Sequence, residues 1–167
     1  MASQLPSKVF DWDKALQTIL DVIREISGMT VVPARGLSQI PDYPYITYDI
    51  PTRNVPEWGD TSQTNSPFRS VFTFTVYATD YRTAFIKSDE LATLLTDREY
   101  RLKLREGAGI VLVDESDARN ESDDFFDGPI YQYAFDTTFR FKRNYVSGIE
   151  TIDQVDTPKI NILKEKN

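Results

Sequence analysis

Apolar residues recur at three- and four-residue spacing between Asp11 and Ser27, and charged residues fill the positions between them. A period of 3.6 residues is typical of an amphipathic helix whose apolar face packs on a core. Asp11 or Asp13 can cap the first turn, and Gly28 follows at the position of a left-handed C-terminal cap. The pattern therefore predicts a helix over residues 11–27.

Other segments alternate polar and apolar positions with a period of two, which is typical of strands with one face on a core. The longest covers residues 130–143, where five aromatic side chains and Thr137 share one face. Residues 98–105 also alternate, and we predict an exposed strand there that ends at the glycines following it. The shorter predicted strands are residues 29–32, 45–50, 70–78 and 110–113.

A second helical pattern covers residues 81–96, with Asp80 in front of it as a cap. The order of elements predicts an α+β fold, in which a mostly antiparallel β-sheet has two amphipathic helices packed on one face. We expect a single domain over residues 1–145. Residues 146–167 have no plain partner within that domain, and we interpret them as a C-terminal arm or extension that docks on a neighbouring molecule.

A polar connection of 19 residues, 51–69, has no periodicity and contains two large aromatic side chains, Trp58 and Phe68. Connections of this length within a compact domain tend to be functional or to become ordered on a partner. Two interpretations stay open for the aromatic residues. They pin the connection onto the body of the domain, or they anchor a neighbouring subunit.

A second polar connection, residues 116–128, is rich in Asp and Glu and carries Phe125 and Phe126 at its centre. An EF-hand loop needs alternating ligands, a central Gly and a closing Glu twelve residues from its start. This connection lacks that order, so a solvated loop is favoured over a calcium site. We expect no metal and no cofactor.

The composition narrows the function. The 167-residue chain has a formal net charge of −7 and contains neither Cys nor His. Disulfides and thiolate chemistry are therefore excluded, and the commonest general base and metal ligand is missing. Tight binding to nucleic acid needs a basic surface, and here the basic residues are scattered among acidic ones. No run of apolar residues is long enough for a transmembrane helix. A role without catalysis is favoured.

Four segments carry a resemblance to a known family: ALQTILDVIREISG, YPYITYDIP, SVFTFTVYATDYRTAFIKSDELATLL and YQYAFDTTFRFKRNY. Over roughly residues 10–145, the chain resembles the terminator proteins of tailed-bacteriophage necks. The resemblance is one of pattern and element order, because such families have no invariant catalytic signature.

The resemblance implies a structural virion protein that forms a ring, usually hexameric. Such a ring caps the tail tube and joins it to the head connector, and double-stranded DNA passes through its channel without specific binding. The implied partners are other copies of this chain, the tail tube protein and the connector or stopper proteins, with the tail sheath as a further candidate. The implied location is the tail or neck of the virion, after assembly in the host cytoplasm.

From the sequence alone, we select eight residues for contacts between subunits or with partners, on the basis of aromatic or basic character in loops and at the end of the long strand. The selected residues are Arg53, Trp58, Phe68, Phe125, Phe126, Arg140, Lys142 and Tyr145.

Two alternatives stay open for the function. One is a head-completion, stopper or tail tube protein, and the other is a small ligand- or carbohydrate-binding domain.

Overall fold

Three helices lie against one face of a six-stranded sheet in the computed structural model, which describes residues 10–36, 39–57, 66–122 and 130–143. The helices are α1 (Trp12–Ser27), α2 (Tyr81–Leu95) and α3 (Arg98–Ala108). The strands are β1 (Thr30–Pro33), β2 (Tyr45–Pro56), β3 (Pro67–Ala78), β4 (Val111–Glu115), β5 (Arg119–Asn120) and β6 (Tyr131–Lys142).

The strands are ordered β1-β2-β3-β6-β4, and the short β5 also pairs with β6. Only β1 and β2 run parallel, and every other described pair is antiparallel. The central pair, β3 with β6, stays in register from Pro67 opposite Lys142 to Ala78 opposite Tyr131. The predicted α+β fold with a mostly antiparallel sheet is therefore confirmed.

Large aromatic side chains from β3 and β6 make up the centre of the core. Because side chains alternate along a strand, the in-register pairing directs two rows of phenylalanines to the same face of the sheet. Helices α1, α2 and α3 cover this face with Ile19, Ile23, Leu91, Leu95 and Leu104. The fully buried phenylalanines are Phe68, Phe72, Phe74, Phe135, Phe139 and Phe141.

The first two helices begin and end where the sequence predicts. The Asp11 side chain accepts a hydrogen bond from the Lys14 backbone N–H at 3.0 Å. Gly28 has a φ of +66°, and its N–H donates to the Arg24 carbonyl at 2.8 Å. The Asp80 carboxylate likewise accepts from the Thr83 N–H at 2.8 Å. These contacts satisfy backbone groups that the helix ends leave unpaired.

The predicted strand over residues 98–105 is wrong, because this segment is α3, the third helix. Its first turn is capped by the Asp97 side chain, which accepts from the Glu99 N–H at 2.8 Å, and Gly109 ends it with a φ of +65°. In a helix, residues four apart share a face. Leu104 is accordingly buried with Tyr100 packed beside it, whereas Leu102 is 42% exposed.

The long connection predicted over residues 51–69 is also shorter than expected. Strand β2 continues to Pro56, and β3 begins at Pro67. Periodicity is missing because residues 51–56 of β2 are exposed, so no position is required to be apolar. Register shifts between Asp49 and Thr52 accommodate Pro51, since proline within a sheet is found at bulges and edges.

Two truncations distinguish the helix from the predicted strand over residues 98–105. We expect Leu104→Ala to lower the free energy of unfolding by about 3 kcal/mol, because it removes a fully buried side chain. Leu102→Ala is the matched control and should change it by less than about 0.5 kcal/mol. Urea unfolding of both variants measures the difference. Similar losses for both would contradict the helix, since a strand places both residues on one face.

Candidate assembly interface

The far half of the β2–β3 hairpin has one unpaired edge. Strand β1 covers β2 only from Tyr45 to Tyr48, and the rest of β2 is paired with β3 alone. All six residues from Pro51 to Pro56 are exposed. Asn54 has a φ of +59°, and its N–H donates to the Ser70 hydroxyl at 3.1 Å. This part of the hairpin therefore presents free backbone groups.

One carboxylate bonds two arginines at the root of this hairpin. Arg69 of β3 and Arg140 of β6 stand directly opposite each other, which alone would repel. Glu57, whose side chain is only 10% exposed, accepts from the Nε of Arg69 and from the Nε of Arg140, the latter at 2.8 Å. Glu57 therefore links the end of β2 to both central strands.

The Glu57 carboxylate stays ionised at pH values below the ordinary pKa of a glutamate side chain. Burial alone would raise its pKa, but the hydrogen bonds and positive charges of Arg69 and Arg140 outweigh this effect. The pKa of Glu57 consequently lies below the ordinary value of 4.5. The ion cluster is therefore complete at neutral pH and is lost only in acid.

Arg143 forms a second set of contacts at this end of the β2–β3 hairpin. Arg143, which is buried, donates from a terminal guanidinium nitrogen to the Asn54 side-chain oxygen at 2.6 Å. Its guanidinium lies over the Phe68 ring at 5.2 Å from the centroid. The Arg143 N–H also donates to the Ser66 carbonyl at 3.1 Å. These contacts tie the exposed end of β2 to the end of β6.

The sheet face away from the helices is polar. Thr73 donates to the Asp136 carboxylate at 2.6 Å, and Arg119 bonds the same carboxylate at 2.9 Å. At the opposite end of this face, the Tyr45 and Tyr77 rings stack with centroids 4.9 Å apart. Burial, together with neighbouring tyrosines, raises the pKa of Tyr45 to about 12. Ion pairs and stacked rings organise this face.

A family model described as "Phage neck terminator protein" matches residues 12–166, which is nearly the whole chain. The chain belongs to this family. The resemblance drawn from the sequence is confirmed, and the match extends beyond residue 145 into the residues that we interpret as an arm.

Other comparisons are more distant. Among solved structures, the neck terminator chain is similar to a chain of "Virion of native gene transfer agent (GTA) particle", with a TM-score of 0.41 and 12% identity. That alignment covers 78% of this chain and 92% of the other. No curated protein matches.

As a member of this family, the neck terminator chain is a structural protein of the phage virion, located in its tail or neck, and it assembles with other virion proteins. Within the described ranges, no helix is long and apolar enough to cross a membrane. Among the described residues, no group of three or more acidic side chains is placed so that it could hold a metal ion.

The structure separates the residues selected from the sequence. Arg53 and Lys142 are exposed, and Arg140 bonds Glu57. Phe68 is 1% exposed in the core, which corrects its selection as a surface anchor: its ring packs 5.3 Å from Phe141 because its strand position faces the helices. The remaining selected residues lie outside the described ranges: Trp58, Phe125, Phe126 and Tyr145.

Glu57, Arg69, Asn54 and Arg143 form the contacts at this end, and the sequence did not single them out. Their partners lie 12 to 89 residues away along the chain. The β3–β6 register brings them together, and no local pattern carries that information. One feature of the sequence could have pointed to these contacts. Arg69 and Arg140 are charged residues within largely apolar strands, close to where those strands meet polar segments.

Replacing Glu57 by Gln should destabilise the neck terminator chain by about 1 kcal/mol at pH 7, since two half-exposed arginines lose their shared anion. A lowered folded-state pKa gives stability that is present above the unfolded value of 4.5 and is lost as the pH falls through the folded pKa. The gap between wild type and Glu57→Gln should therefore narrow as the pH falls below 4.5.

Urea unfolding at pH 7 and at pH 3 measures this gap. Glu90→Gln removes an exposed carboxylate paired with Lys87 and serves as the matched control, with an expected loss of less than about 0.5 kcal/mol. An equal gap for Glu57→Gln at both pH values would contradict the proposed role of its charge.

Proposed function

We propose that this neck terminator protein forms a closed ring, most simply a hexamer, that caps the tail tube and joins it to the head connector. The unpaired edge of β2 over residues 51–56 carries this proposal. A strand edge with free N–H and C=O groups is an aggregation hazard unless another chain or segment covers it. A neighbouring subunit would cover it in a defined way.

The sheet has two different free edges, which is what a ring requires. In the described strands, β1 and the exposed half of β2 lie at one side of the sheet, and β4 lies at the other. A contact between two unlike surfaces of identical subunits repeats from copy to copy. It closes into a ring when the rotation per subunit allows it, and it otherwise gives a filament.

The charge of the chain suits a channel for DNA. A formal net charge of −7 gives a ring of several copies a strongly negative surface. Phosphates are repelled by such a wall, so double-stranded DNA could move through the lumen without adhering to it.

Light scattering and negative-stain images of the purified protein, alone and after addition of tail tubes that lack it, test the ring. We expect particles of about six copies, formed in solution or at tube ends. Long filaments, or a monomer that leaves tube ends bare, would contradict the proposal. Filaments would favour a tail tube protein instead.

A pair of variants assigns the contact. Val55→Asp places a charge at a residue of β2 that is 45% exposed, so folding should be unaffected and assembly should weaken at least ten-fold. The matched control is Ile86→Asp on α2, which is 44% exposed and belongs to a helix that packs on the central strands β3 and β6. Equal assembly by the two variants would exclude the β2 edge as a contact.

A further inference from the structure

An open groove lies between α3 and the beginning of β4, with a volume of about 250 Å³. Three arginines of α3, Arg98, Arg101 and Arg105, line it together with the start of β4. Their spacing of three and four residues places them on one face of the helix. Strand β4 pairs with β6 on one side, and no described strand pairs with its other side.

The three guanidinium groups are exposed, and none forms an ion pair with the described residues. On the same helix Lys103 is paired, since it bonds Glu99 at 2.8 Å and also bonds Glu25 of α1, whereas the exposed Glu106 forms no ion pair with the described residues. A row of unpaired cations is unusual in a chain with a net charge of −7. It indicates an anionic binding partner.

The groove also exposes apolar surface. Leu102 is 42% exposed, Val111 is 38% exposed, and both line the groove beside the arginines. The partner that fits this surface is therefore a peptide segment that presents both carboxylates and aliphatic side chains. A simple anion would leave the apolar part of the groove uncovered.

The C-terminal region of the chain contains a segment with this composition. Residues 149–156 read IETIDQVD, in which an aliphatic residue is followed by an acidic residue three times at three-residue spacing. The carboxylates are those of Glu150, Asp153 and Asp156. Between Tyr145 and Pro158 the sequence contains no Lys or Arg, so the negative charge is not offset locally.

The segment can reach the groove of its own chain. Arg140 of β6 stands opposite Val111 at the start of β4, so the last described residue, Arg143, lies near this end of the groove. Paired strands are about 4.8 Å apart. The five residues 144–148 can extend over roughly 17 Å, which is enough to pass around the start of β4.

We propose that residues 149–156 bind in the groove between α3 and β4 of the same chain. The carboxylates bond Arg98, Arg101 and Arg105, and the aliphatic side chains cover Leu102 and Val111. Asp114 and Glu115 make the far end of β4 acidic, which keeps the carboxylates on the α3 side. This inference concerns a contact within one chain and does not depend on ring formation.

Disulfide trapping tests the contact, because the wild-type chain contains no Cys. Leu102→Cys with Ile152→Cys should form an intramolecular disulfide on mild oxidation of the dilute protein, seen by peptide mapping and by a shifted monomer band. Ile86→Cys with Ile152→Cys is the matched control, since Ile86 is 44% exposed on a different helix. Its cross-linking should be at least ten-fold slower.

Reversal of the charges in the groove and in the segment is a second test of the contact. In the trapping background, replacing the three arginines by Glu should slow cross-linking about ten-fold, since each exposed ion pair contributes modestly. Adding Glu150→Lys, Asp153→Lys and Asp156→Lys to that variant should restore the rate. Arg82→Glu, on α2, is the control for a single charge change.

Three outcomes would overturn the proposal. One is equal cross-linking of Leu102→Cys and Ile86→Cys with the segment. Another is a rate that reversing the arginines does not change. The third is a disulfide between two polypeptides in place of one within a chain, which would assign the groove to a neighbouring copy. Circular dichroism of each variant confirms that the fold is retained.

Discussion

The in-register pairing of β3 with β6 is the constraint on which the rest of the structure depends. Each strand has 12 residues, and every residue of one stands opposite a residue of the other. Because side chains alternate, this single register directs all six fully buried phenylalanines towards the helices and the charged side chains of both strands to the other face. A slip by one residue would exchange the two faces.

The same register creates the end of the molecule that we assign to assembly. It sets Arg69 opposite Arg140, and that repulsion is relieved only because Glu57 follows β2 at this level. It also brings Arg143 over Phe68 and against Asn54, so that arginine contacts hold the exposed part of β2 at Asn54 and at Glu57. A surface that is exposed and yet held in one conformation is suited to binding, because little entropy is lost on association.

Sequence patterns predicted the elements that have one buried face. Helix α1 and strand β6 have strong periodicity, since half of each must be apolar to cover the core. The pattern misled at α3, where Tyr100, Leu102 and Leu104 alternate like a strand although only the four-residue spacing of Tyr100 and Leu104 has structural meaning. The pattern did not predict the end of β2, because no residue of an exposed strand segment has to be apolar.

The candidate site was less predictable than the fold. Arg53, Arg140 and Lys142 were selected as basic residues, but the role of Arg140 depends on Glu57, which lies 83 residues earlier in the chain. Local sequence cannot specify such a partner before the strand register is known. The family, by contrast, could be predicted from element order, since a fold of helices on one side of a sheet leaves its pattern along most of the chain.

Hydrogen exchange of the four backbone amides between Pro51 and Pro56 tests the central claim most directly, because these residues form the edge that assembly should cover. We expect fast exchange of the amides that do not bond β3 in the isolated chain, and strong protection of the same amides in purified tails. The edge of β1 gives an internal comparison within the same samples. Equal exchange of residues 51–56 in both states would contradict the assignment of this edge to assembly.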